Sequence, residues 1–490
     1  MNPLDISRRA SASFYHLTDV SLEGCACQGL ACFAARADNP QRWQQARASS
    51  PAVYCLGQCH HAPAAFADDA DNADVAIGVH SSATVLLGNL VQGGARDIAT
   101  YRERGGGKAM RLALATYPGK VIAELEASGL RGRGGAGFPA STKWRAVASA
   151  SAPQKYLVVN ADEGDPGSFS DRLLLENDPF RLIEACVIAA HATGASQGII
   201  YLRKEYPAAH AVLEHAMAQA REAGWLGQGV LGSTLDFDLG IHIGQGSYVC
   251  GEETSLLNSL EGRRPEVRLR PPQITEHGLH GQPTLVTNVE TLCSVPWIIE
   301  NGGERYATIG IGKSRGTKLL SLNSLLNRPG LYEVDFGISL RDIVEKIGGG
   351  LRRGQLKGVM IGGPLAGLVP AALLDTALGY EELQAIGAAV GHGGVIAFAD
   401  DTAIAEIVAE VFRFGARESC GKCTPCHLGC PELASSFSAV LAGEKMPATR
   451  WHDLIDALEA TSLCGHGRGL AEFARAIERH YPEELAQCFA

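Results

Sequence analysis

The run Leu130-Arg131-Gly132-Arg133-Gly134-Gly135-Ala136-Gly137-Phe138-Pro139 places four glycines within six positions. Such a stretch is unsuited to a helix or strand interior, so it fixes a sharply turned loop around which the flanking elements must be arranged. Glycine also lets a ligand approach the main chain with no Cβ in the way. Arg131 and Arg133 offer fixed positive charge for phosphate, and Phe138 offers a flat apolar face for a ring. The loop reads as a seat for a phosphorylated aromatic cofactor; a plain linker would favour Ser and Gly without Phe.

Gly132, Gly134 and Gly137 also spell G-x-G-x-x-G, the dinucleotide fingerprint, which needs a strand immediately upstream. Residues 121–129 instead carry apolar side chains at Val121, Ile122 and Leu125 with acidic residues between, a helical period ending at Gly129. The fingerprint fails on context, and only the phosphate-loop chemistry is kept.

Downstream, residues 155–160 are a buried-strand signal running into the acidic loop Asp162-Glu163-Gly164-Asp165. Strands are also expected at 197–203 and 241–243, with helices at 184–193 and 208–223, and a further helix opening at Gly251. This alternation implies a largely parallel sheet, whose ligands sit where strands end in polar turns. In the middle of the chain, strands at 316–322, 330–334 and 356–363 with a short helix at 340–347 suggest a β-grasp unit acting as a spacer.

The chain has 490 residues, 14 cysteines and a net charge of −10. An acidic balance argues against a nucleic-acid binder. No apolar run reaches membrane-spanning length, and residues 1–20 contain no apolar leader, so the expected location is the cytoplasm. Cysteines there point to metal or redox use. Cys420, Cys423 and Cys426 form C-x2-C-x2-C after a helix at 402–417, a strong [4Fe-4S] signal when joined by one remote cysteine, with zinc as the alternative. Near the N-terminus, Cys27-x4-Cys32 and Cys55-x3-Cys59 can hold a [2Fe-2S] cluster or zinc. Cys250, Cys293 and Cys430 read as packed thiols, Cys25 as an extra thiol near the first pair, and His466 as a residue able to reach a cluster sulfur.

Several of these segments carry a resemblance. Cys55-Leu56-Gly57-Gln58-Cys59 followed by Ala62-Pro63 is similar to the thioredoxin-like [2Fe-2S] domain found beside NADH-oxidising flavoproteins, which implies Cys27, Cys32, Cys55 and Cys59 as ligands. The ordered elements 131–139, Lys143-Trp144, Asn160-Ala161-Asp162-Glu163, Gly251-Glu252-Glu253-Thr254, Ser259-Leu260-Glu261-Gly262 and 288–292 resemble the NADH-binding flavoprotein subunit of respiratory complex I. The same module occurs in NAD-linked formate dehydrogenases and NAD-reducing hydrogenases. The resemblance implies FMN on Gly132, Arg133, Gly134, Gly135, Lys143, Asn160, Asp162, Glu163, Tyr248, Gly251, Glu252, Asn288 and Thr291. It implies NAD(H) on Phe138, Asp165, Glu253 and Arg270, and Cys464 as the fourth [4Fe-4S] ligand. Asp165 stands where the family commonly has Glu, Arg270 where it has Lys, and Gln273 where an aromatic residue is usual.

The expected fold is an α/β multidomain chain: a thioredoxin-like [2Fe-2S] domain at 1–98, a Rossmann-like FMN domain without the fingerprint at 99–310, a β-grasp insert at 311–398 and a helical bundle with [4Fe-4S] at 399–490. The expected function is a diaphorase subunit, exchanging hydride between NAD(H) and FMN and single electrons with iron–sulfur clusters. The fused N-terminal cysteines favour an NAD-dependent formate dehydrogenase, whose partners would be a molybdenum or tungsten subunit and a small [2Fe-2S] subunit. Complex I and an NAD-reducing hydrogenase are the alternatives, and a non-enzymatic iron–sulfur carrier is the rival of another class.

Overall fold

The computed structural model describes residues 15–18, 20–50, 52–66 and 75–490. Most of the stretch that bears on a leader, residues 1–14 and 19, lies outside them. Among the described residues no helix is long and apolar enough to cross a membrane.

The strands are β1 (Ala76–His80), β2 (Tyr156–Ala161), β3 (Gln197–Leu202), β4 (Asp238–Ile243), β5 (Thr284–Asn288), β6 (Gly310–Ile311), β7 (Ser314–Arg315), β8 (Thr317–Leu322), β9 (Gly330–Asp335), β10 (Leu356–Ile361), β11 (Val369–Pro370) and β12 (Gly394–Ala399). β4-β3-β2-β5 form a four-stranded sheet, parallel throughout. Leu157, Val158 and Val159 are fully buried, as a parallel sheet covered on both faces requires. Helices Pro179–Thr193, Pro207–Glu222 and Val289–Asn301 cover the face of Leu157 and Val159, and helix Glu253–Leu260 covers the other, where Val158 packs with Leu256 and Leu257. Strand order reverses beside β2, which has β3 on one side and β5 on the other, so the carboxyl ends of β2 and β5 flank a topological switch point.

The second sheet runs β1-β9-β8-β12-β10-β11. Its inner four strands, with β8–β9 antiparallel and β8–β12 parallel, have the order of a β-grasp unit. Here the expected N-terminal domain is corrected. β1 pairs in parallel with β9, Ala76 opposite Gly330, so residues 76–80 belong to the middle sheet. Gly330 makes this possible, since a Cβ there would lie 2.2 Å from the Ala76 carbonyl oxygen. Among the described residues before β1 there are only helices and isolated bridges, Cys27 with Val53 and Ala26 with Ala65, and no thioredoxin-like sheet.

The two sheets are joined by a fully buried ion pair, Lys318 on β8 with Glu290 at the start of the helix after β5. Beyond β12, helix Ile404–Arg417 buries Ile404, Ile407, Val408, Val411 and Phe412 against helices Thr424–Leu441, Ala448–Thr461 and Gly465–His480.

Candidate functional site

The glycine loop lies between helix Pro118–Ser128, closed by Gly129 at φ 63°, and helix Ala140–Ser149, so a helix does precede it. The loop is a closed turn: Arg131 bridges Pro139, and the Gly132 N–H donates to the Phe138 carbonyl at 2.8 Å. It sits on the carboxyl end of β5. A Cβ on Gly134 would lie 3.1 Å from the Asn288 Cβ, and the Arg133 N–H donates to Thr291 Oγ1 at 2.8 Å. Asn288 in turn caps helix Val289–Asn301, accepting from the Thr291 N–H at 3.1 Å.

Parallel register sets Asn160 directly opposite Asn288, so two predicted flavin residues share the switch point. Asn160 Nδ2 donates to the Gly251 carbonyl at 2.8 Å, which draws in the Tyr248–Gly251 turn. Gly251 faces Asp162: a Cβ would come within 3.4 Å of the Asp162 carbonyl oxygen. Asp162 Oδ2 is buried and takes no hydrogen bond from the protein. Burial, ahead of the surrounding charges, holds the Asp162 carboxyl well above its usual range. An unpartnered acceptor beside a Cβ-free backbone cradle fits the hydroxylated, phosphorylated chain of FMN.

Two predicted contacts are corrected. The Arg133 guanidinium is fully buried on the far side of the loop, donating to Tyr306 Oη at 2.9 Å and the Arg315 carbonyl at 2.6 Å, 4.8 Å from the Phe336 ring centre. Arg131 likewise serves the protein, pairing with Glu381 at 2.7 Å and donating to the Gly137 carbonyl at 2.6 Å. Glu163 also turns inward. Its carboxylate accepts from Ser168 and Ser170 hydroxyls, from the N–H groups of Asp171 and Arg172, and from Tyr206 at 2.7–3.2 Å. An ionised carboxylate buried this deeply requires such a donor set.

On the open side, Phe138 is 48 % exposed, the one aromatic face of the loop turned outward. Lys143 Nζ lies 6.0 Å from its ring centre and 2.5 Å from Glu253 Oε2. Arg270 joins Glu252 at 2.8 Å and Glu253 at 2.7 Å, while Glu252 also caps helix Glu253–Leu260. Asp165 accepts from Tyr248 Oη at 2.6 Å. An exposed ring flanked by both signs of charge suits a dinucleotide, whose rings stack while its hydroxyls and phosphates find partners.

The C-terminal cysteines converge where two helices begin. Cys423 and Cys464 are the N-cap residues of helices Thr424–Leu441 and Gly465–His480, and burial pushes the Cys464 thiol up to about 12. Cys420 packs with Cys464, Val249 and Val267. The Cys430 thiol, 4.0 Å away, pulls Cys426 down to about 6, with burial opposing and His466 and Ser419 assisting. Four sulfurs at this junction fit a cubane cluster. His466 donates its Nε2–H to the Gly415 carbonyl at 2.9 Å.

Cys27, Cys32, Cys55 and Cys59 are all buried and interact with one another, Cys55 and Cys59 with sulfurs 3.4 Å apart. Backbone N–H groups of Gly29, Gly57 and Ala64 point at the sulfurs of Cys27, Cys55 and Cys32 at 3.3–3.4 Å. Cys55 holds φ 71°, a left-handed conformation costly for a residue with a Cβ. The donor set fits a [2Fe-2S] group, whose sulfurs are stabilised by such N–H groups. Cys25 points elsewhere, to the Ser21 carbonyl at 3.6 Å.

One participant escaped sequence reasoning. The loop before β12 brings Gly391 into a bridge with Gly135 and His392 beside Asn288. The run Gly391-His392-Gly393-Gly394 was the available signal, a second glycine cluster at a strand start.

A family model described as the Nuo51 FMN-binding domain matches residues 125–297, and one described as the NADH-ubiquinone oxidoreductase-F iron-sulfur binding region matches residues 406–488. The chain is 40% identical over 405 residues to the F 2 subunit of the NADH-quinone oxidoreductase of Rhizobium meliloti (strain 1021), covering 82% of this chain and 96% of that one. It is 40% identical over 399 residues to the HndC subunit of the NADP-reducing hydrogenase of Solidesulfovibrio fructosivorans, covering 79% and 81%. A solved structure of an NAD+-reducing [NiFe]-hydrogenase in the H2-reduced state superposes with a TM-score of 0.81 at 29% identity, over 99% of this chain and 87% of that one.

Proposed function

Because this chain belongs to the family of NADH-oxidising oxidoreductase subunits that carry FMN and a [4Fe-4S] cluster, we propose that its switch-point cleft seats FMN and NAD(H) and that Cys420, Cys423, Cys426 and Cys464 hold the cluster. When bound, the flavin supplies exchange of a hydride with the nicotinamide and of single electrons with iron–sulfur centres. The chain's own task is binding, orientation and exclusion of water.

In this reading the backbones of Gly132, Arg133, Gly134 and Gly135 receive the flavin, with Lys143, Asn160, Asp162, Tyr248, Gly251, Glu252, Asn288 and Thr291 around it. Arg133 and Glu163 contribute by shaping the loops from behind. Phe138 offers its ring to the nicotinamide cofactor, and Asp165, Glu253 and Arg270 border that side. The Tyr248–Gly251 turn carries the proposal: Gly251 meets Asp162 at the flavin floor while Val249 packs on Cys420. One four-residue turn thus touches both redox sites, and electron transfer needs that adjacency. Cys27, Cys32, Cys55 and Cys59 hold a [2Fe-2S] cluster in the same reading.

The setting is a multi-subunit redox complex, complex I or an NAD-reducing hydrogenase. The structural likeness over 99% of the chain, N-terminal cysteine segment included, favours the hydrogenase type. The formate dehydrogenase expected from the sequence is the third possibility, and none of the relatives described above carries that name. Purification with mass spectrometry of associated chains decides among them. A nickel–iron partner chain supports the hydrogenase, quinone-oxidoreductase chains support complex I, and a molybdenum or tungsten chain supports formate oxidation. Purified protein without FMN and without NADH-dependent dye reduction would overturn the enzymatic reading.

A further inference from the structure

The middle segment reads from sequence as a spacer, yet its loop at residues 391–394 reaches the flavin floor. Gly391 is wedged between the bridge to Gly135 and Gly362, where a Cβ would lie 2.3 Å from the Gly362 Cα. The next side chain, His392, is 5 % exposed. Its Nδ1 lies 2.7 Å from Ser168 Oγ and 3.3 Å from Glu163 Oε1. Its Nε2 lies 3.0 Å from Asp171 Oδ2 and 3.1 Å from Asn288 Nδ2. Asp171 holds Asn288 as well, accepting from its Nδ2 at 2.6 Å, and takes the Glu290 N–H on its other oxygen at 3.2 Å.

Glu163, Asp171 and His392 have the composition of a metal triad. The five donors already on Glu163 argue against a cation, since both its oxygens are engaged. The group is better described as an imidazole clamped between two carboxylates. Burial opposes charge on that ring, but Asp171 and then Glu163 outweigh it and keep its pKa well above the usual histidine value. The other charged groups nearby are Asp165 on the same loop as Glu163, Arg172 on the helix of Asp171 (turned toward Glu176 at 3.6 Å), and the Glu290–Lys318 pair, whose Lys318 Nζ donates to the His392 carbonyl at 3.2 Å.

We propose that His392 is a positioning residue of the flavin site, orienting Asn288 through Asp171 and securing the glycine loop through the neighbouring Gly391–Gly135 bridge. This inference rests on the flavin reading given above. It makes the β-grasp unit part of the cofactor site, because the residue under the flavin floor comes from it.

The test is titration of deflavinated protein with FMN across the pH range, followed by flavin fluorescence, for the parent and His392→Gln. In the parent, affinity holds through neutral pH and falls under alkaline conditions as the ring loses its proton. His392→Gln binds FMN roughly tenfold more weakly at neutral pH, the loss of one charge-assisted hydrogen bond, and lacks the alkaline step. Ser168→Ala, which removes one Nδ1 partner together with one of the five donors to Glu163, shifts the step along the pH axis, and decides the matter if His392→Gln does not fold. An unchanged affinity and pH profile in His392→Gln, or an unmoved step in Ser168→Ala, overturns the inference alone. A parent protein that binds no FMN at any pH overturns both it and the flavin reading.

Discussion

Tyr248 donates its hydroxyl hydrogen to Asp165 at 2.6 Å while its ring lies 4.9 Å from Phe414 and 5.8 Å from His466. A single side chain therefore spans the distance from the proposed nicotinamide side to helix Ile404–Arg417, which leads into Cys420, and to the helix that Cys464 caps. Its backbone N–H is committed as well, to Glu418 Oε2 at 3.0 Å.

Replacing that side chain by Phe keeps both ring contacts and deletes one hydrogen bond to a carboxylate that burial already pushes upward. Tyr248→Phe is expected to raise the KM for NADH by about tenfold, the value of roughly 1–2 kcal/mol for a lost partner of a buried acceptor. Steady-state dye reduction measures this, with iron content as the control for an intact cluster.

Asp162 is expected to trade stability for binding. Its folded pKa lies above the unfolded value, so the folded chain holds the proton more tightly and stability is lost as pH rises from the unfolded value toward the folded one. Asp162→Asn removes that loss. In the cofactor-free protein it should stabilise by about 1 kcal/mol at neutral pH, the scale of an unsatisfied buried polar group, and the gain should vanish as pH falls toward about 4. The same substitution should weaken FMN binding. Denaturant midpoints at several pH values, beside FMN titration, check both halves.

The cysteines divide into ligands and bystanders. Cys464→Ser should abolish the [4Fe-4S] electron paramagnetic resonance signal and lower iron by about four atoms per chain, the content of one such cluster. Cys430→Ser should leave it, since Cys430 is a buried neighbour of Cys426 one helical turn on. Cys55→Ser should remove the [2Fe-2S] signal and leave the other cluster intact, whereas Cys25→Ser should change neither.

What the sequence disclosed was local. Runs such as Leu157-Val158-Val159 and the spacing of Cys420, Cys423 and Cys426 carry their meaning within a few residues, and the structure places them as strand and cysteine junction. Side-chain direction was not legible. Arg133 and Glu163 stand in the right loops, yet their charges point into the protein, because only the packed partners Tyr306, Tyr206 and Ser168 decide which way a turn residue faces. Long-range pairing was equally hidden: nothing near Ala76 signals that its strand partner begins at Gly330. His392 was missed for the same reason, since its meaning comes from Asp171 and Asn288, contributed by two other segments.

The central claim is that this chain couples NADH to a flavin and a neighbouring iron–sulfur cluster. It is tested most directly by adding NADH anaerobically to FMN-loaded protein and following flavin absorbance together with the cluster's paramagnetic signal. Loss of the oxidised-flavin absorbance and appearance of the reduced-cluster signal are expected, the second absent in Cys464→Ser. Protein with bound FMN and intact iron that shows neither change on addition of NADH would contradict it.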